Sequence, residues 1–265
     1  MEWLLSWKKA ISDAQLPVYA ANAAFFLLLS LFPAMALLLG LIGHLALSTE
    51  EFFSFFRQLI PDVLFPLFRE AIRSLDVGSG PLLSISALTG LWSASRGIYG
   101  LLQGLRRICH DREHRSFLKL RLLAIGYTAA FLLALLLTFS LFALGRTMLR
   151  ILGAAQAPIV EVLRFLLRGR GGIAFLFLTV LFLLIYRTFP PGKRSLRQSF
   201  PGSLLTAGGW VLFSWLFSVW AKLFRGYSRV YGSVAMVAMT MLWLYFCLEI
   251  VLLGALLNER LRKHS

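Results

Sequence analysis

Acidic residues are scarce in this sequence: Asp and Glu number 12 against 27 Lys and Arg. Those acids are also scattered, with Asp13, Asp62, Asp76, Glu50, Glu51, Glu70, Glu161 and Glu259 falling in tails or connections. Hydrolysis of RNA would need clustered carboxylates, a histidine pair or a metal site. No catalytic residue is therefore nominated. Cysteine is scarcer still, because Cys109 in a basic connection and Cys247 inside an apolar run supply neither a disulfide framework nor a metal cage. P-loop, G-x-S-x-G and H-x-H-x-D-H patterns are missing. One H-x-x-E-H run, from His110 through Glu113 to His114, is crowded by Arg106, Arg107, Arg112 and Arg115, which repel a divalent cation. It reads as a solvated connection, and no metal or cofactor is expected.

Charge of either sign is short too. Only 15% of residues are charged and 58% are hydrophobic, with a mean hydropathy of +0.76; soluble domains run at about 25% and about 45–50%. That balance excludes a soluble globular domain. What the sequence has instead is long apolar runs, six of them: about Val18 to His44, Leu82 to Gly104, Leu122 to Leu144, Gly171 to Phe189, Phe200 to Leu223 and Val234 to Leu257. Runs of roughly 17–25 residues cross about 30 Å of hydrocarbon as helices. A membrane barrel would alternate apolar and polar residues with period two, and these runs do not. The expected fold is all-α, a polytopic membrane protein of six transmembrane helices forming one domain over residues 1–265, with short tails at 1–17 and 258–265. The first run is too long for a signal-peptide core and no small-residue cleavage site closes it.

Lys and Arg partition unevenly among the connections. With the N-terminus inside, fifteen fall on the cytoplasmic side and eleven in longer segments opposite, Arg96 completing the count. Positive charge is retained inside, so both termini are expected in the cytoplasm of a bacterial inner membrane. The net charge of +15 reads as a topology signal and an attraction to anionic headgroups, with nucleic acid the weaker explanation. Two connections look amphipathic and interfacial: Glu50 to Leu75, and the stretch in which Glu161, Arg164 and Arg168 share a helix face.

Polar groups inside the runs are the candidates for function, since an ionisable residue at a helix centre costs about 2.5–3.5 kcal/mol on insertion scales. Arg96 and Glu249 sit at a similar depth, each eight residues before the end of its run, so they are candidates for an ion pair or for a substrate site. Asn22, Ser93 and Ser95 complete a candidate intramembrane polar site. Glycines and serines around Arg96 permit close helix contact or line a wet cavity. Pro33 is a candidate hinge, and Tyr227, Tyr231 and Gly232 form either an aromatic belt with a turn or a gate. Trp210, Trp215, Trp220 and Trp243 read as packing residues or interfacial anchors.

Four stretches, AANAAFFLLLSLFPAMALLLGLIG from Ala20, LWSASRGIYGLLQGLRRI from Leu91, FPGSLLTAGGW from Phe200 and YSRVYGSVAMVAMTMLWLY from Tyr227, resemble the YihY/BrkB family of bacterial inner-membrane proteins, formerly labelled ribonuclease BN. The resemblance spans nearly the whole chain and implies six membrane helices with a role in transport or lipid translocation. One departure stands out. Where that family tends to read G-A-E-L-N, this chain has Gly254, Ala255, Leu256, Leu257 and Asn258, and Glu249 lies two helical turns earlier on roughly the same face. The leading expectation is a transporter or lipid-translocating protein with a polar site between helices, acting on membrane lipids, anionic headgroups or a small molecule. A membrane scaffold and a membrane-embedded hydrolase are the alternatives.

Overall fold

The computed structural model describes residues 10–44, 53–54, 56–57, 60–61, 64–66, 68–69, 80–109, 117–152, 172–189, 194–223 and 225–264. Every regular element among them is helical. Six long helices follow in order: α1 (Leu16–His44), α2 (Gly80–Ile108), α3 (Phe117–Leu152), α4 (Gly172–Thr188), α5 (Leu196–Leu223) and α6 (Arg225–His264). Five of the expected apolar runs fall within α1, α2, α3, α5 and α6, and residues 172–188 of the fourth form α4. Within α3, α5 and α6, the segments Leu118–Leu137, Leu196–Ala221 and Val234–Arg262 are long and apolar enough to cross a bilayer. The apolar stretches Leu16–Leu31 in α1 and Phe175–Thr188 in α4 are shorter. In α2, Ser84, Ser86, Thr89 and Arg96 dilute the apolar run.

Local chemistry sets several helix ends. Before α1, Gln15 takes a left-handed φ of 52°, which ends the turn at residues 10–13 and lets its carbonyl accept from Val18 N at 3.1 Å. α5 starts at a capping box, where Ser195 Oγ accepts from Gln198 N and Gln198 Oε1 accepts from Ser195 N, both at 3.3 Å. Arg106 and Arg107 close α2 and Arg187 closes α4, cations placed against the negative helix end.

The outside of the bundle is apolar. Leu118, Leu122, Leu133 and Leu137 on α3 and Leu205, Leu212, Trp215 and Leu216 on α5 are all exposed. So broad an apolar exterior requires hydrocarbon rather than water around it. Inside, α1 lies along α2, α6 packs on α5 and on α1, α4 lies against α5, and α3 against α2. The α1–α2 contact is close because Ala20, Ala23 and Ala24 are fully buried and meet glycines; a Cβ on Gly97 would lie 2.6 Å from Leu27 Cγ. The small residues around Arg96 thus serve helix packing.

Two expectations change. The stretch carrying Tyr227, Tyr231 and Gly232 is the start of α6 rather than a turn before a helix beginning at Val234, and α6 also runs on past Leu257 to His264. The described part of Glu50 to Leu75 is packed inward as well: Ile60, Leu64, Phe65 and Phe68 are buried against Met35, Leu135, Phe217 and Trp243, and Arg57 lies 4.8 Å over the Phe65 ring. Four apolar side chains at this spacing are better buried against the bundle than laid on headgroups. The stretch with Glu161, Arg164 and Arg168 lies outside the described residues.

Candidate functional site

Between the helices is a cavity of about 250 Å³. All six helices line it, through Leu27, Ala94, Leu132, Phe177, Trp210 and Leu244 among others, and Phe56, Ile60 and Phe68 of the inward-packed connection line it as well. Its hydroxyls are turned away. Ser30 donates to Leu27 O at 2.8 Å, Thr128 to Ala124 O at 2.7 Å and Thr240 to Met236 O at 2.7 Å, each bond made within its own helix. The indole of Trp243 donates to Ser214 Oγ at 3.1 Å and packs edge-on to Trp210, 5.6 Å between centroids. With these donors satisfied locally, what the cavity offers is dispersion and hydrophobic contact.

The residues nominated from sequence do not assemble around it. Ala94 and Ile98 line the cavity, so Arg96, two residues from each at about 100° per residue, points outward. It is exposed, its guanidinium 5.3 Å over the Phe26 ring and 5.9 Å over Trp92. Asn22 is exposed on α1, its Oδ1 3.0 Å from where a Cβ on Gly100 would stand. Ser93 is half-buried; Ser95 is buried and donates to Trp92 O at 2.7 Å. Glu249 is half-buried on α6, within hydrogen-bonding reach of Tyr245 one turn earlier. Among the described residues no ion pair joins Arg96 to Glu249. Pro33 sits inside an unbroken α1, against Gly90 of α2. The side chains of Tyr227 and Tyr231 lie outside the described residues.

A polar cluster that sequence reasoning did not find ties α4, α5 and α6 together. Asn258, 1% exposed, accepts from Gly202 N at 2.7 Å and donates to Ser199 O at 3.1 Å. Tyr186, fully enclosed, donates to Val251 O at 2.6 Å and shares a 2.7 Å bond with Thr206 Oγ1; since its one proton goes to the carbonyl, Thr206 is the donor. The residue next to Asn258, Glu259, 2% exposed, receives Arg194 at 2.8 Å and Arg262 at 2.7 Å. Arg194 also reaches Cys109 Sγ at 3.0 Å, and burial pushes the Cys109 thiol pKa up against that arginine's pull. The cluster is a latch: its amide, phenol and carboxylate are paired across the helices, while the buried Ser199 Oγ has no hydrogen-bond partner among the described residues. Asn258, next to the G-A-x-L-N departure, was its sequence signal.

Comparison with known proteins places this chain. A putative ribonuclease-like protein YfkH of Bacillus subtilis (strain 168) is 32% identical over 247 residues, covering 93% of this chain and 90% of that protein. A UPF0761 membrane protein of Stenotrophomonas maltophilia (strain K279a) is 36% identical over 76 residues, 29% of this chain and 18% of that one. Another, of Coxiella burnetii (strain RSA 493 / Nine Mile phase I), is 28% identical over 166 residues, 61% of this chain and 56% of its own. This chain thus matches only part of the length of those two longer relatives. No solved structure matches. The family model described as virulence factor BrkB matches residues 8–265, and with apolar helices able to cross a bilayer this chain is an integral membrane protein of the BrkB family.

Proposed function

We propose that this protein crosses the bacterial inner membrane six times and handles lipid, taking acyl chain into the cavity between its helices and easing the passage of phospholipid between leaflets. The observation that carries this reading is the cavity. At about 250 Å³ it exceeds the about 150 Å³ apolar cavity known to hold benzene in another protein, so a segment of hydrocarbon chain fits. Its chemistry also selects against the other cargo class: bringing an unpaired ion into such surroundings costs tens of kcal/mol in the Born limit, whereas a methylene gains about 0.8 kcal/mol on leaving water. A solute transporter would need a polar lining. The ribonuclease-like name belongs to the Bacillus relative; among the described residues no three His, Cys, Asp or Glu side chains converge to hold a metal ion.

The test is reconstitution into liposomes carrying a fluorescent phospholipid, beside a flux screen of small ions. Accelerated lipid movement with unchanged ion leakage is expected; lipid movement no faster than in protein-free liposomes overturns the reading. Orientation has its own test. The charge partition supports both termini inside, so reporters fused after Lys263 and within residues 107–116 are expected to signal cytoplasm and one near Val77 periplasm. The swapped pattern would reject that topology.

A further inference from the structure

Two cations share one aromatic ring on the outer face where α1, α2 and α3 meet. The Arg121 guanidinium lies 4.5 Å over the Trp92 indole and that of Arg96 5.9 Å from the same ring and 5.3 Å from the Phe26 ring. The two are close enough to repel each other. Like charges held together on an apolar surface are unfavourable unless an anion lies between them. The described residues supply none: of the described carboxylates, Glu259 is held by Arg194 and Arg262, and neither Asp13 nor Glu249 makes an ion pair with either cation. Arg121 is braced by a 3.4 Å bond from one terminal nitrogen to Trp92 O, which fixes its direction and, among the described residues, leaves donors of its fork unused. Around the pair the surface is greasy: Phe25, Leu88, Trp92, Leu118 and Leu122 are exposed.

We propose that Arg96 and Arg121 together bind the phosphate of an anionic phospholipid of the surrounding bilayer, with Trp92 as the shared platform and the exposed leucines of α2 and α3 receiving its acyl chains. Two arginine forks match a phosphate's several acceptor oxygens. Asn22, exposed one turn before Phe26, adds a neutral amide on the α1 side. A lipid is the occupant rather than a soluble anion because the apolar flanks continue directly from the cations. The inference rests on the membrane-spanning reading and not on lipid movement, so a protein that moves no lipid could still carry this site.

The experiment is lipid binding by the purified full chain in a neutral detergent, read by native mass spectrometry and by the rise in melting temperature. The probes are phosphatidylglycerol, phosphatidylcholine and inorganic phosphate. Phosphatidylglycerol is expected to bind at least about tenfold more tightly than phosphatidylcholine, with R96Q and R121Q each weakening it about tenfold, the factor for one charged hydrogen bond. R96K is expected to fall in between. R187Q/R197Q removes two exposed arginines elsewhere and is expected to change nothing. The proposal is overturned if R96Q and R121Q bind phosphatidylglycerol like the parent, or if R187Q/R197Q loses as much, which would mean diffuse attraction to a basic surface. Equal stabilisation by inorganic phosphate would also overturn it, making this a site for a free anion. Should either glutamine variant fail to fold, R96K against the parent decides on the same criterion.

Discussion

Glu259 meets two arginines in different surroundings, and the difference sets what each contributes. Arg194 has an 8% exposed side chain and Arg262 one that is 47% exposed. Removing the carboxylate in Glu259→Gln leaves the Arg194 cation buried without a counter-charge, a loss of about 3–5 kcal/mol. Arg262→Gln removes a partner that water screens, costing about 1 kcal/mol or less. Melting of the detergent-solubilised protein checks both; similar shifts for the two variants would mean that the latch is solvated. At this scale the sequence was half legible. Arg96 was visible as a charge in an apolar run, and helical rise fixed its depth. Its azimuth was not visible, because the face a residue presents depends on how α2 is rotated against α1, set by Gly97 and its neighbours meeting Ala23 and Leu27. Glu259 was misplaced for a related reason: apolarity stops near Leu257 while the helix does not.

The crossing of α5 and α6 depends on two residues without side chains. A Cβ on Gly254 would overlap Thr206 Oγ1 and stand 2.8 Å from both Gly202 O and Tyr186 Oη; one on Gly202 would overlap Gly254 O and the Asn258 amide. The backbones therefore touch where Asn258 and Tyr186 bond across the helices. Gly254→Ala is expected to separate them, with about 1–3 kcal/mol of overpacking added to the broken Tyr186 bonds. Gly126 on α3 has nothing within 4 Å of its would-be Cβ, so Gly126→Ala is expected to stabilise by about 0.5–1 kcal/mol through helix propensity alone. Melting temperatures moving in opposite directions confirm the contrast; a tolerated Gly254→Ala would contradict so close a crossing. The elements themselves were readable from the apolar runs, since lipid leaves the backbone no alternative to internal bonding. Their ends were less so. Amphipathic spacing in Glu50 to Leu75 fits a helix on headgroups as well as one tucked into a bundle, and only the partners Met35, Phe217 and Trp243 decide between them.

Over the whole molecule the polar and apolar roles are exchanged relative to the simplest reading of the sequence. Arg96, nominated for an internal site, lies on the outer face, the paired charges form a latch at one end, and the interior holds an apolar cavity lined by all six helices. The cavity was not legible because serines and threonines in a run look like a wet lining until their bonds are known; Ser30, Thr128 and Thr240 each bond their own helix. Filling that cavity tests the account most directly. Ala94 is 6% exposed on its wall, and Ala94→Phe adds a ring to the space without altering charge. Phospholipid flip rates are measured in liposomes for the parent and for Ala94→Phe at matched protein content, with melting temperature as the check on folding. The account predicts that the parent speeds lipid movement and that the folded Ala94→Phe variant loses most of that acceleration. Parent and variant moving lipid at the same rate would contradict it.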